Sequence, residues 1–76
     1  MHAPFAFQIR PISLEEGFEV ECEGIIDQPF RCQRLYEAII TAAHVSHDLD
    51  AEVEIYDSSG VLVETLPLKP QLVLAD

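Results

Sequence analysis

Basic residues are scarce in this chain. Arg10, Arg31, Arg34 and Lys69 stand against 14 acidic residues among 76, a formal charge of −10. Nucleic-acid affinity is carried by clustered lysine and arginine that neutralise phosphates, so this shortage excludes a nucleic-acid-binding surface. It equally disfavours docking on an anionic membrane. Long apolar runs are missing too, and nothing approaches the roughly 20 residues of a membrane-spanning helix. The start, Met1 to Arg10, lacks a basic region followed by an apolar stretch, so no signal peptide is expected and the expected location is cytoplasmic. With two cysteines, Cys22 and Cys32, there is no secreted disulfide framework. Both are expected as buried thiols.

The same shortages bear on chemistry. Three glycines leave no glycine-rich phosphate loop, and there is neither a Cys-x-x-Cys nor a Gly-x-Ser-x-Gly. Carboxylates are plentiful, but acid–base catalysis needs one held in an apolar pocket with a shifted pKa. A non-enzymatic protein without a cofactor is the expectation.

What the chain does contain is a set of glutamates spaced by twos. Phe18-Glu19-Val20-Glu21-Cys22-Glu23 and Ala51-Glu52-Val53-Glu54-Ile55-Tyr56 alternate apolar and acidic residues. Alternate side chains of a strand point to opposite faces, so each segment buries one row and presents carboxylates on the other. Phe5, Phe7 and Ile9 form a further alternating row. Pro11 ends that strand or lies on an exposed edge. Paired as a hairpin, the first two strands set Ile9 opposite Val20, Phe7 opposite Cys22, Arg10 opposite Glu19 and Gln8 opposite Glu21. A slip by one residue would turn the glutamates inward.

Asp27-Gln28-Pro29 reads as a helix start, with Asp27 or Gln28 as cap and Pro29 in the first turn. The helix is expected to run to His47 or Leu49. Its core stripe is Cys32, Leu35, Tyr36, Ile39, Ala42, Ala43 and Ser46, with Phe30, Ile40 and Val45 off the stripe. The last two strands, Ala51 to Tyr56 and Val61 to Leu68, are joined by a three-residue loop, Ser58-Ser59-Gly60, with Gly60 left-handed. That register pairs Ile55 with Val63 and Val53 with Thr65 inside. Outside, Glu54 faces Glu64, Tyr56 faces Leu62 and Glu52 faces Leu66.

The expectation is one α+β domain over residues 1–76, a four-stranded, antiparallel-rich β-β-α-β-β sheet with one helix on one face. If the second and third strands are adjacent and parallel, the helix is the crossover between them. Residues 69–76 read as an extra strand or an arm.

Two clusters are candidate sites. The first is the outer sheet face, centred on Glu21, Glu23, Glu52, Glu54 and Tyr56, with Glu19 and Glu64 beside them. Acids mixed with the apolar island Tyr56, Leu62 and Leu66 suit docking of a basic protein surface. The module is expected to act as a homodimer, so a second copy of the chain is the other expected partner, and a nucleic-acid-mimicking inhibitor is an alternative use of the charge. The second cluster is His44, His47 and Asp48, a loose imidazole–carboxylate set for a metal ion near a helix end. The plain alternatives are a solvated acidic face and exposed polar residues favoured by the helix dipole.

Gly17-Phe18-Glu19-Val20, Leu35-Tyr36-Glu37-Ala38-Ile39, and Glu52-Val53-Glu54-Ile55-Tyr56-Asp57 with Gly60 together resemble the small uncharacterised bacterial domains built as hairpin, helix, hairpin. The resemblance implies the same α+β fold. Those domains tend to be basic or mixed in charge, where this chain is acidic, and the resemblance supplies no catalytic or binding residue.

Overall fold

In the computed structural model, which describes residues 4–68, the alternating segments become strands of a single five-stranded mixed sheet. The elements are β1 (Phe5–Ser13), β2 (Gly17–Glu21), β3 (Phe30–Cys32), α1 (Leu35–Val45), β4 (Ala51–Tyr56) and β5 (Leu62–Leu68). Spatial order is β3-β2-β1-β4-β5, so the first strand lies at the centre. The domain is α+β with one helix, as expected, but the sheet has five strands rather than four. The residues 69–76, read as a strand or arm, lie outside the described residues.

The first hairpin has the expected register. Gln8 pairs with Glu21, Ile9 with Val20 and Arg10 with Glu19. Burial enforces it: Ile9 and Val20 are fully enclosed, and a one-residue slip would put Arg10 or Glu19 in their place. β1 continues past Pro11 to Ser13 alongside β2. Its second partner is β4, which runs parallel from Phe5↔Ala51 to Ile9↔Ile55. The Phe5 N–H donates to the Asp50 carbonyl at 3.0 Å, so odd-numbered β1 residues turn their backbone groups toward β4. Pro11 would be the next donor in that ladder and has none, and the pairing stops at Ile9. The parallel pair is thus β1–β4, not the second strand with the one after the helix.

The expected helix start at Asp27–Pro29 is corrected. Phe30–Cys32 instead forms a short antiparallel edge strand, with Phe18 opposite Cys32 and Val20 opposite Phe30. The chain between β2 and β3 reverses at Gly24 (φ 88°), with the N–H groups of Ile25 and Ile26 both donating to the Cys22 carbonyl. The helix begins only at Leu35. Its start is held by Glu37, whose carboxylate accepts from the backbone N–H groups of Gln33 and Arg34, both at 3.1 Å. It ends at Val45, before His47, and the Ser46 N–H still reaches the Ala42 carbonyl at 3.0 Å.

α1 packs on β2, β3 and β1 from one side of the sheet. Ala38 and Ala42 are fully buried and Ser46 nearly so, and these small side chains allow close approach to the strands. Tyr36 and Ala43, expected on the core stripe, are exposed, because the buried stripe is turned toward Ala38. Phe7, Ile9, Val20 and Val53 are the largest fully buried side chains. Cys22 is buried and Cys32 half-buried, and both are free thiols.

Candidate functional site

On the sheet face opposite α1, the registers order the side chains into rows. Arg31, Glu19 and Arg10 share one row across β3, β2 and β1. Glu21, Gln8, Glu54 and Thr65 form the next, across four strands. Ala6, Glu52 and Pro67 form the third. Four carboxylates therefore share this face with two guanidinium groups.

The middle of the face is a connected network rather than a field of repelling acids. Arg10 donates to Glu21 at 3.0 Å through one terminal nitrogen and to the Gln8 side-chain oxygen at 3.0 Å through the other. The Gln8 amide reaches Glu54 at 3.5 Å, and the Tyr56 hydroxyl donates to the same Glu54 oxygen at 2.9 Å. The Arg10 guanidinium lies over the Tyr56 ring, 5.1 Å from its centroid, which closes the circuit. The hydrogen bond to Glu54 holds the Tyr56 phenol above its usual pKa of 10.0, since losing the proton would lose the bond and face the carboxylate.

Of the residues read as the site, Glu21, Glu54 and Tyr56 are brought together here, and Glu52 lies one row away. Glu23 is not on a strand. It sits exposed in the turn after β2, which ends at Glu21 although the alternating pattern runs on to Glu23.

The second hairpin departs from its expected register. The loop is as read: Gly60 has φ 83°, and the Asp57 N–H donates to the Val61 carbonyl across Ser58-Ser59-Gly60. Asp57 also caps the turn through its carboxylate, accepting from Ser59 N and Val61 N at 2.8 and 2.9 Å. Tyr56 keeps Leu62 as its partner, but an irregularity then makes Val63 an extra residue, and Ile55 pairs with Glu64. Thr65 thereby takes the place opposite Glu54, Pro67 faces Glu52, and Leu66 turns inward beside Val53. The expected Glu54–Glu64 confrontation and the Leu66 part of the apolar island are both removed. Glu64 shares the helix-side face with Ile55 yet stays exposed, since α1 packs chiefly on β2, β3 and β1.

Arg10 and Gln8 are the members of this network that the sequence reading did not place in the site. Arg10 stood opposite Glu19 in that register, but its bond is diagonal, to Glu21. Its contacts toward Tyr56 need β4 as a neighbour, and nothing local in the chain announces that pairing.

The His44, His47 and Asp48 cluster is only partly assembled. His47 Nε2 lies 3.0 Å from Asp48 Oδ2, with both side chains more than 70% exposed, and His44 is exposed in the last turn of α1. Among the described residues, no group of three or more histidine, cysteine, aspartate or glutamate side chains is arranged to hold a metal ion.

A concavity lies where β2 leaves the sheet. A groove of about 530 Å³ opens beside the first residues of β1, with Phe5, Ile26 and Pro29 among its apolar walls and Glu21, Glu23 and Asp27 among its polar ones. Cys22 also lines it, and burial pushes that thiol above its usual 9.0. Among the described residues no helix is long and apolar enough to cross a membrane. No family model, curated protein or solved structure matches this chain.

Proposed function

We propose that this domain is a non-catalytic, cytoplasmic accessory module that docks a basic protein surface on its uncovered sheet face. The observation that carries the reading is the asymmetry of the sheet: α1 packs on one side, and no described element packs over the row of Glu21, Gln8, Glu54 and Thr65 on the other. An exposed sheet face needs only neutral polar residues to remain solvated. This one carries Glu19, Glu21, Glu52 and Glu54 around a preorganised arginine–tyrosine centre, and preorganised polar groups lower the cost of ordering at an interface. Tyrosine and arginine are also the side chains enriched where proteins meet.

Self-association by strand pairing is opposed at both edges. β3 has three residues, and β5 carries Pro67 and the irregularity at Val63.

The test is affinity capture from source lysate with graded salt washes, using the native protein and a Glu52→Gln, Glu54→Gln variant. Capture should weaken with salt and be lost in the variant, whose thermal unfolding stays close to native. Salt-independent capture, or undiminished capture by the variant, refutes the reading.

A further inference from the structure

Beside the outer face, β1 has an unfinished edge. β2 pairs with β1 only from Gly17 to Glu21, because the chain turns away at Cys22. The β1 residues before Phe7 therefore have β4 on one side and no described strand on the other. Backbone polarity alternates along a strand. Since the Phe5 N–H is spent on Asp50, the N–H and C=O of Ala6 aim away from β4, into the groove. No backbone hydrogen bond joins Ala6 to the segment between β2 and β3 among the described residues.

The walls of that groove set the chemistry of an occupant. Phe5 is 41% exposed there and Ile26 half-buried, which together offer an apolar bed. Glu23 and Asp27 are exposed on its rim, and no ion pair engages either among the described residues. Glu21, the third carboxylate, is shared with the Arg10 network of the outer face. An open strand edge asks for an extended backbone, the bed for methylenes, and the rim for a cation.

We infer that this groove seats an extended segment of the basic partner, which pairs with Ala6 and lays one arginine or lysine side chain over Phe5 and Ile26 toward Glu23 and Asp27. This rests on the docking function proposed above and adds a recognition mode to it. Charge complementarity selects the side chain, and the groove's continuity with the outer face through Gln8 and Glu21 joins the two contacts into one surface.

The probe is acetyl-Val-Arg-Val-amide, titrated into isotopically labelled protein and followed by amide chemical shifts. The same peptide with citrulline in place of arginine is the neutral control. Saturable shifts are expected at Ala6, Glu23, Ile26 and Asp27, with the Ala6 amide proton moving downfield as it gains a carbonyl acceptor. The arginine peptide should bind about tenfold more tightly than the citrulline one, because charged hydrogen bonds are the stronger kind. A Glu23→Gln, Asp27→Asn variant, altered only at exposed positions, should bind both peptides equally. Equal binding of the two peptides to the native protein overturns the inference. So does the absence of saturable shifts, or shifts confined to Glu52, Glu54 and Tyr56. That last outcome would leave the outer-face docking intact. Groove binding by the peptide, combined with partner capture indifferent to Glu52→Gln and Glu54→Gln, would instead remove the outer face and keep the groove.

Discussion

Arg10 on β1 holds its guanidinium 5.1 Å from the centre of the Tyr56 ring on β4, while one of its terminal nitrogens bonds Glu21 at 3.0 Å. One cation therefore ties three adjacent strands on the face that carries the charge. Without it, Glu21 and Glu54 would lie in one row with only Gln8 between them.

Replacing Arg10 should reveal how much that tie contributes. The Arg10 and Glu21 side chains are both 41% exposed, so solvent screens the pair and its share is small. With the ring contact, Arg10→Gln should cost about 1 kcal/mol in urea unfolding. Arg31→Gln is the comparison, since the Arg31–Glu16 pair is longer, at 3.3 Å, and more exposed. It should cost less than about 0.5 kcal/mol. Equal losses for the two variants would mean that the network adds nothing beyond an ordinary surface pair.

Tyr56 should titrate above its usual 10.0, chiefly because its hydroxyl donates to Glu54. A folded-state pKa above the unfolded one means that the native protein holds the phenolic proton more tightly. The associated stability is fully present below the unfolded value and disappears as pH rises through the folded value. Tyrosinate absorbance of a Tyr36→Phe protein isolates this group. Glu54→Gln should lower its midpoint toward 10.0, and an unchanged midpoint would show that Glu54 is not the cause.

Gly17 should be the least replaceable glycine. It sits at φ 78°, and a Cβ there would fall on the Cys32 carbonyl oxygen and crowd the Gln33 backbone at 2.9 Å. Gly24 and Gly60 also have positive φ, but nothing lies within 4 Å of their added carbons. Alanine at Gly24 or Gly60 should cost about 1–2 kcal/mol from backbone strain alone. Gly17→Ala should cost clearly more, since β3 must also move off β2. Comparable chemical-denaturation midpoints for the three variants would contradict the close β2–β3 approach.

Pro67 should keep the protein from pairing with itself along β5. The odd-numbered β4 residues bond toward β5, so Glu52↔Pro67 is a pair without mutual hydrogen bonds and the Pro67 nitrogen faces the open edge. Pro67→Thr restores a donor there. Sedimentation should show concentration-dependent association of the variant beyond that of the native protein. A variant that sediments like the native chain would mean that the irregularity at Val63 alone guards the edge.

Much of this surface was legible before any coordinates. The β1–β2 register followed from alternation, because one slip would bury Arg10 or Glu19. The loop at Ser58-Ser59-Gly60 followed from Gly60, which takes the left-handed conformation that closes such loops. The carboxylate rows of β2 and β4 followed from a period of two. What escaped was the extra residue at Val63, which shifts β5 by one place and trades Glu64 for Thr65 opposite Glu54. A loop type constrains only the first pairs beyond it, and Leu66 and Leu68 gain more burial when they turn toward Val53 and Ala51.

The chain by itself therefore determined which faces are apolar and which are acidic, because side-chain chemistry and strand periodicity are local properties. Three features were decided only in the folded molecule: the parallel β1–β4 pair, the short strand Phe30–Cys32, and the seating of Arg10 among Glu21, Gln8 and Tyr56. Each depends on contacts between residues far apart in sequence, whose energies exist only once the strands have found one another. The acidic rows are written in the order of residues. The network that organises them belongs to the sheet.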